Sequence, residues 1–307
     1  MDAALPIVAA HAAATVTAGA IYFRHARLAR PPIGVFNGRD VAIVLVAIVA
    51  IPYVYLALPL GAVAVLVCVA GIVVLHFTLE PLVPRSFAWL VAVGLIAADL
   101  GATLAFGGRS NVFLAVNNVV LAVLAMGVAN LWVQSGMRVR HVAVLAAGLT
   151  VYDAVATLGL TLMTDLVERL SHVPLAPMAG WDLARGGLAI GLGDLLLATV
   201  FPLAMWKAYG RRAAAIAGVI AVGAIVALLV GLEARLLPNA VPAMVVLGPL
   251  MVLQVVAWRL LRGSERTTAR YLSEEPLRRR RRTRPAAVHP PVVGLRPPTP
   301  LEGHERG

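Results

Sequence analysis

Long uncharged apolar runs alternate with short polar or basic segments along residues 1–261. A bilayer core about 30 Å thick requires about 20 apolar helical residues, and runs of that length recur. We predict nine transmembrane helices, at 5–23, 41–58, 62–79, 87–106, 112–134, 142–163, 188–206, 213–232 and 240–261. The uncharged run 41–79 is too long for one crossing, so Pro59-Leu60-Gly61 is predicted to break it.

The composition supports an all-α membrane bundle. Hydrophobic residues make up 60% of the chain, charged residues 13%, and the mean hydropathy is +0.87. Soluble domains carry roughly 25% charged residues, so this chain has too little polar surface for water. No basic residue precedes the first span, which we therefore expect to be retained rather than cleaved as a signal peptide.

Basic residues suggest an orientation and a separate tail. With the N-terminus outside, the predicted cytoplasmic loops hold ten Lys and Arg residues and the external loops four. The positive-inside rule then favours N-out and C-in, and we expect the plasma membrane. Eleven of the 26 cations follow Leu261, in an Arg- and Pro-rich stretch. We predict a membrane domain over 1–262 and a disordered cytoplasmic tail over 263–307. Anionic lipid head groups are the expected tail partner, a plain solvated flank is the alternative, and nucleic acid is not expected.

Three aspartates fall within predicted spans: Asp99, Asp153 and Asp194. Ionisable groups at bilayer depth are costly and are functional candidates by default. For Asp99 we expect a protonated or hydrogen-bonded packing role. Its expected partners are amides on the fifth span, from Asn117, Asn118 and Asn130.

Asp153 and Asp194 lie on consecutive, antiparallel spans at depths that can match. Two carboxyls that face each other in a low-dielectric site cannot both ionise, so they share one proton. The ionised member can take a proton from water while the protonated member polarises a peptide carbonyl, which is aspartyl protease chemistry. Gly191 and Gly193 would let another backbone approach closely. No metal or other cofactor is expected, since the histidines show no ligand spacing.

Three short motifs follow one another on the sixth, seventh and ninth predicted spans. They are Tyr152-Asp153, Gly191-Leu192-Gly193-Asp194 and Pro242-Ala243-Met244. Together they resemble the motifs of the GxGD intramembrane aspartyl proteases, of which presenilin and signal peptide peptidase are the best known. The third motif departs from the family's Pro-Ala-Leu by a Met, a swap of similar volume.

The resemblance implies catalytic roles for Asp153 and Asp194. It also implies that Pro242, Ala243 and Met244 pack against the active site and help to seat substrate. An N-out, C-in layout is that of signal peptide peptidase, which implies type II transmembrane segments or signal-peptide remnants as substrates. We expect Tyr152 to pack against another span rather than to serve Asp153.

The segment 171–187, rich in Pro and Gly, is a further candidate element. The resemblance implies that it pairs with extended substrate ahead of the seventh span. An ordinary external loop is the open alternative.

Three other functions compete with the protease. A prepilin-peptidase-like GxGD protease would keep the Asp pair but lack the third motif. A proton-coupled transporter would use the three aspartates as a relay. A catalytically silent relative would only bind membrane proteins. Turnover of peptide in detergent, without any gradient, would separate the proteases from the other two.

Overall fold

The structure is a computed structural model that describes residues 3–28, 36–156, 166, 169–170, 173–237, 242–266 and 270. Its helices and strands belong to one compact unit. In this part of the chain the helices are α1 Ala4–His25, α2 Gly38–Ala57, α3 Leu60–Leu79, α4 Arg85–Phe106, α5 Asn111–Gln134, α6 Val139–Ala154, α7 Leu192–Tyr209, α8 Arg211–Glu233 and α9 Met244–Arg262. Two strands precede α7: β1 Met178–Trp181 and β2 Leu188–Gly191.

Seven of the described helices are long and apolar enough to cross a membrane: α1 to α5, α8 and α9. Large apolar side chains project outward from them, as at Leu104, Val219 and Leu260. Such a surface suits lipid rather than water, and it confirms a multi-pass membrane protein. The other two, α6 and α7, carry Asp153 and Asp194. Because residues 157–165 lie outside the described part, nine crossings stay a prediction.

The helix boundaries agree with the apolar pattern for the first five and the eighth predicted spans. The ninth helix begins at Met244 rather than at 240, and the end of the sixth predicted span lies outside the described residues. The predicted break is confirmed, since α2 ends at Ala57 and α3 begins at Leu60 with Pro59 as its N-cap. The prediction of helix over 188–191 is wrong, because these residues form β2. A short apolar run does not by itself distinguish a strand from a buried helical turn.

The core is built around α5 and α7. α5 packs against α1, α3, α4, α7 and β1, while α7 packs against α1, α5, α6 and α8. α6 is held mainly by α9, with α2 and α7 on its other sides. The contact between α1 and α7 is close where Gly19 meets Thr199, since any Cβ at Gly19 would collide with that side chain. The two central helices therefore support the elements around them: α6 packs against α7, and β1 packs against α5.

One cation counted among the loops is buried instead. Lys207 lies in the last turn of α7, is 2% exposed, and donates from Nζ to the carbonyl of Val133 at 2.9 Å. The expectation that Lys207 marks a cytoplasmic loop is therefore wrong. It satisfies a carbonyl near the C-terminal end of α5, where a cation is favoured by the helix dipole.

The residues directly after α9 contact the bundle. Oε2 of Glu265 accepts the N–H of Val139, the first residue of α6, at 2.9 Å. Nε of Arg266 donates to the carbonyl of Ala208, near the end of α7, at 3.2 Å. These bonds satisfy backbone groups that a helix end leaves unpaired. Beyond Arg266 the predicted disordered tail lies outside the described residues, except for Arg270.

Candidate active site

Asp153 lies at the end of the regular part of α6. It is the penultimate residue of the helix, and Val155 and Ala156 continue as a wider π-helical turn. Single π turns within helices are frequent at functional sites. The side chain of Asp153 is half-buried. The chain beyond Ala156 lies outside the described residues, so the predicted mid-span position of Asp153 is untested.

Asp194 occupies the first turn of α7. The N-cap of that helix is Gly191, and the backbone N–H of Gly191 donates to the Asp194 carboxyl. An acid three residues after the N-cap commonly accepts this N–H, which fixes the side chain against the helix start. A Cβ at Gly191 would lie 2.9 Å from Oδ2 of Asp194. Gly191 therefore leaves the space that the carboxyl occupies.

The third motif lies directly against the first. The N–H of Met244, the first residue of α9, donates to Oδ2 of Asp153 at 3.2 Å. Pro242 and the Met244 side chain are buried, and Ala243 is half-buried between them. This arrangement agrees with the predicted packing of Pro242, Ala243 and Met244 beside an aspartate.

A tight crossing holds α9 against α6 at this point. The hydroxyl of Thr150 lies 3.0 Å from the carbonyl of Met244 and 2.8 Å from that of Ala146. A Cβ added at Gly248 would collide with the Thr150 hydroxyl. Small residues at such crossings let helix backbones approach closely in membranes. The approach of Gly248 to α6 is what brings the start of α9 to Asp153.

The two aspartates interact with each other. Asp153 and Asp194, from consecutive helices, are close enough for a direct electrostatic interaction between their carboxyls. Like charges in a poorly solvated site disfavour double ionisation. Gly193 lies beside them, and a Cβ added there would have no atom within 4 Å, so the residue leaves open space at the start of α7.

A β-hairpin leads into the Asp194 turn. β1 and β2 are antiparallel, with Met178 opposite Gly191 and Gly180 opposite Ala189. The connection contains Gly187, where a Cβ would collide with the backbone of the strand that precedes it. The segment 171–187 is thus more than an irregular loop over its described residues, which begin at 173.

Two adjacent asparagines of α5 hold β1. Asn118 brackets Gly180, donating from Nδ2 to its carbonyl at 2.9 Å and accepting its N–H at 3.0 Å. Asn117 donates to the carbonyls of Ala176 and Met178, at 3.1 and 3.0 Å. Their role in positioning the strand was not predicted from the sequence. The signal was present as consecutive amides in an otherwise apolar span.

The hydrogen-bonding pattern of the antiparallel pair directs some backbone groups of β2 away from β1. Gly180 faces Ala189, and both backbone groups of Gly180 are bonded to Asn118 rather than across the ladder. Residues paired in this way direct their N–H and C=O groups toward the outer edges. Ala189 therefore presents both groups along the outer edge of β2, two residues before Gly191.

Tyr152 makes no hydrogen bond to Asp153. Its hydroxyl is buried and has no hydrogen-bond partner among the described residues, and the side chain lies near Tyr53 of α2. This agrees with the expected packing role for Tyr152. Leu192 is half-buried as the first residue of α7.

Asp99 lies apart from this pair. It is fully buried in α4, and its Oδ2 accepts the N–H of Leu175 at 2.7 Å. The Nδ2 groups of the fifth-span amides bind backbone carbonyls and do not donate to Asp99, so the expected pairing of Asp99 with these amides stays a prediction. These amides belong to Asn117, Asn118 and Asn130.

Within the described ranges, no group of three or more His, Cys, Asp or Glu side chains is placed to hold a metal ion. No protein-family model matches the chain, and no curated protein matches it either. Any functional assignment therefore depends on the motifs and their geometry.

Proposed function

We propose that the protein is an intramembrane-cleaving aspartyl endopeptidase in which Asp153 and Asp194 form the catalytic dyad. The supporting observation is the convergence of three separate motifs: the two carboxyls interact, and the N–H of Met244 donates to Asp153. Three motifs placed by chance in an apolar bundle would not be expected to contact one another.

In the proposed reaction a water molecule lies between the two carboxyls. The ionised aspartate takes a proton from that water, whose oxygen attacks the peptide carbonyl carbon, while the protonated aspartate donates to the carbonyl oxygen. The resulting gem-diol then collapses. Its C–N bond breaks, a proton passes to the departing nitrogen, and the two products are a carboxylic acid and an amine. No covalent enzyme intermediate and no cofactor take part.

A helical substrate hides each carbonyl in an i→i−4 hydrogen bond, so cleavage requires a locally extended segment. The outer edge of β2 at Ala189 is suited to accept such a segment as an added strand, as the family resemblance implies. An extended chain on that edge would continue past Gly191 and Gly193 toward Asp194. The open space at Gly193 supports this path.

We further propose nine crossings with the N-terminus outside, the C-terminus cytoplasmic, and residence in the plasma membrane. α1 and α7 run parallel, since Gly19 meets Thr199 and Phe23 meets Trp206. Asp194 at the start of α7 then lies toward the outer side, and type II segments or signal-peptide remnants are the proposed substrates. Anionic lipids are the proposed partner of the basic tail. Activity of a cytoplasm-specific reporter fused to the N-terminus would contradict this orientation.

The decisive experiment is a cleavage assay in detergent, without any ion gradient. Purified protein would be incubated with a panel of single-span peptides of both orientations, and products would be identified by mass spectrometry. Asp153→Ala and Asp194→Ala test the dyad, and Asp99→Asn is the matched control at the third intramembrane acid. We expect cuts within the apolar segment by the wild type and the control only.

Equal cutting by every variant would mean a contaminating protease and would contradict the proposal. Absence of cutting across the panel, together with proton flux into liposomes that all three substitutions abolish, would instead favour the transporter.

A further inference from the structure

Asp99 and Asn117 are two further buried polar residues, which the proposed reaction does not use. Both side chains are 0% exposed. In each of them Oδ1 is buried and has no hydrogen-bond partner among the described residues. A buried polar atom without a partner is rare in native proteins and requires an explanation.

The packing of α4 on α5 places these two residues opposite each other. The helices are antiparallel neighbours, and Ile96 of α4 packs with Val120 of α5 in one cluster. Ala102 packs with Leu114 in another cluster. Midway between these contacts the register sets Asp99 against Asn117. The same two side chains also hold consecutive residues of the segment before β1, Leu175 and Ala176.

Both N–H donors of the Asn117 side chain have partners, and its oxygen is the group that remains. An amide side chain has two N–H donors, and both are used on the carbonyls of Ala176 and Met178. Because two carbonyls face this end of the amide, the nitrogen must lie there and the oxygen must point the other way. Asn117 can therefore only accept a hydrogen bond from Asp99.

Asp99 is able to donate only in its neutral form. Its Oδ2 accepts the N–H of Leu175, and within the described ranges no ion pair involves Asp99. Facing it are Cys68 from α3, the amide of Asn117 from α5, and the Leu175 backbone; Cys68 is the titratable group among these. A bare carboxylate here would be buried without a counter-charge and would face a second acceptor, which is strongly unfavourable.

We propose that Asp99 carries a proton on Oδ1, donates it to Oδ1 of Asn117, and through this bond acts as a positioning residue for the β-hairpin. This proton forms a hydrogen bond between α4 and α5. It lies where both helices also bind the segment that leads into β1. Leu175 has a left-handed backbone, with φ of 55°, so this segment needs such restraint. Loss of the proton would set two acceptor oxygens against each other and loosen the approach to β1.

Infrared spectroscopy of the purified full-length protein tests the proton directly. A protonated carboxyl gives a carbonyl band, separate from the carboxylate bands, that shifts in D₂O. We expect one such band at neutral pH in the wild type that is absent from Asp99→Asn, while any band from the proton shared by Asp153 and Asp194 stays in both. We expect Asn117→Leu to move that band to higher frequency, because the hydrogen bond to the amide is gone.

Thermal unfolding of Asp99→Asn and of one further variant, Asp99→Leu, tests the hydrogen bond. The Asp99→Asn substitution supplies an amide N–H to Asn117 and keeps an oxygen for Leu175, so its thermal midpoint should match that of the wild type. Asp99→Leu removes both bonds and should lower the midpoint by several degrees. An Asp99→Asn spectrum that loses carboxylate bands and keeps every protonated-carboxyl band of the wild type would overturn the proposal, because Asp99 would then be ionised. This readout needs no catalytic activity, so it stands or fails separately from the proposed protease.

Discussion

The N–H of Met244 donates to Oδ2 of Asp153 across 3.2 Å, although 91 positions separate the two residues in the chain. A hydrogen bond to a carboxylate is typically stronger than one between neutral groups, at about 1.5–3 kcal/mol. The bond gives the third motif a physical role, since it restrains Oδ2 of the first aspartate. The close crossing of α9 on α6 at Gly248 maintains it.

Replacing either aspartate of the pair should strongly reduce cleavage. Asp153→Asn and Asp194→Asn should each reduce kcat/KM by roughly 10²- to 10⁴-fold, because each removes one partner in proton transfer. The double variant should lose little more, since residues that act as a unit are not additive. Peptide cleavage followed by mass spectrometry measures all three. A double variant much less active than either single one would contradict a shared role.

The pH dependence of the wild type should be bell-shaped. One proton shared between Asp153 and Asp194 makes the singly protonated pair the active form, so activity falls on both sides of its range. The two apparent pKa values belong to the pair and not to either residue. Initial rates across a pH series, with folding checked at each pH, measure the profile. Rates that change in one direction only across the acidic and neutral range would count against the dyad.

The two glycines of the second motif should respond differently to alanine. Gly191→Ala should inactivate the enzyme, because its Cβ would lie 2.9 Å from Oδ2 of Asp194. Gly193→Ala meets no atom within 4 Å, so the folded protein should tolerate it. Thermal unfolding and cleavage kinetics on both variants separate the effects. A rise in KM with an unchanged midpoint in Gly193→Ala would indicate that substrate passes at Gly193.

Loss of Asn118 should disturb the hairpin more than loss of another amide in the same helix. Asn118→Leu leaves both backbone groups of Gly180 without a partner, at a cost of about 1–3 kcal/mol for each group. Asn130→Leu is the matched control, since Asn130 binds the carbonyl of Gly19 far from the strands. Both variants should unfold at lower temperature, but only Asn118→Leu should lose turnover in the molecules that remain folded. Equal turnover in the two would argue against a role for β1 in catalysis.

The α6–α9 crossing should be sensitive to one methyl group. Gly248→Ala collides with the Thr150 hydroxyl, and overpacking of this kind typically costs about 1–3 kcal/mol. Gly94→Ala in α4 meets open space and should have little effect. Thr150→Ala in the Gly248→Ala background should recover part of the lost thermal stability. Cleavage should fall with Gly248→Ala even below the unfolding transition, because the crossing positions Met244.

Much of the helical frame follows from the apolar pattern, because a bilayer imposes one length on every crossing. The break at Pro59 and the ends of α1 to α5 are of this kind. The hairpin could not be predicted the same way, since Leu188-Ala189-Ile190 is as apolar as a helix. Its strand conformation depends on pairing with β1, which Asn118 on another span holds. The burial of Lys207 could not be predicted for a similar reason, because its partner is a carbonyl 74 positions earlier.

The contacts beyond α9 determine where the chain can be shortened. Glu265 and Arg266 bind the start of α6 and the end of α7, respectively. A truncation or a fused reporter placed directly after Arg262 would keep every apolar helix and yet release both of these ends. They belong to the two helices whose opposite ends carry the aspartates. A junction placed after Arg266 keeps both anchors and is the better design for a shortened protein.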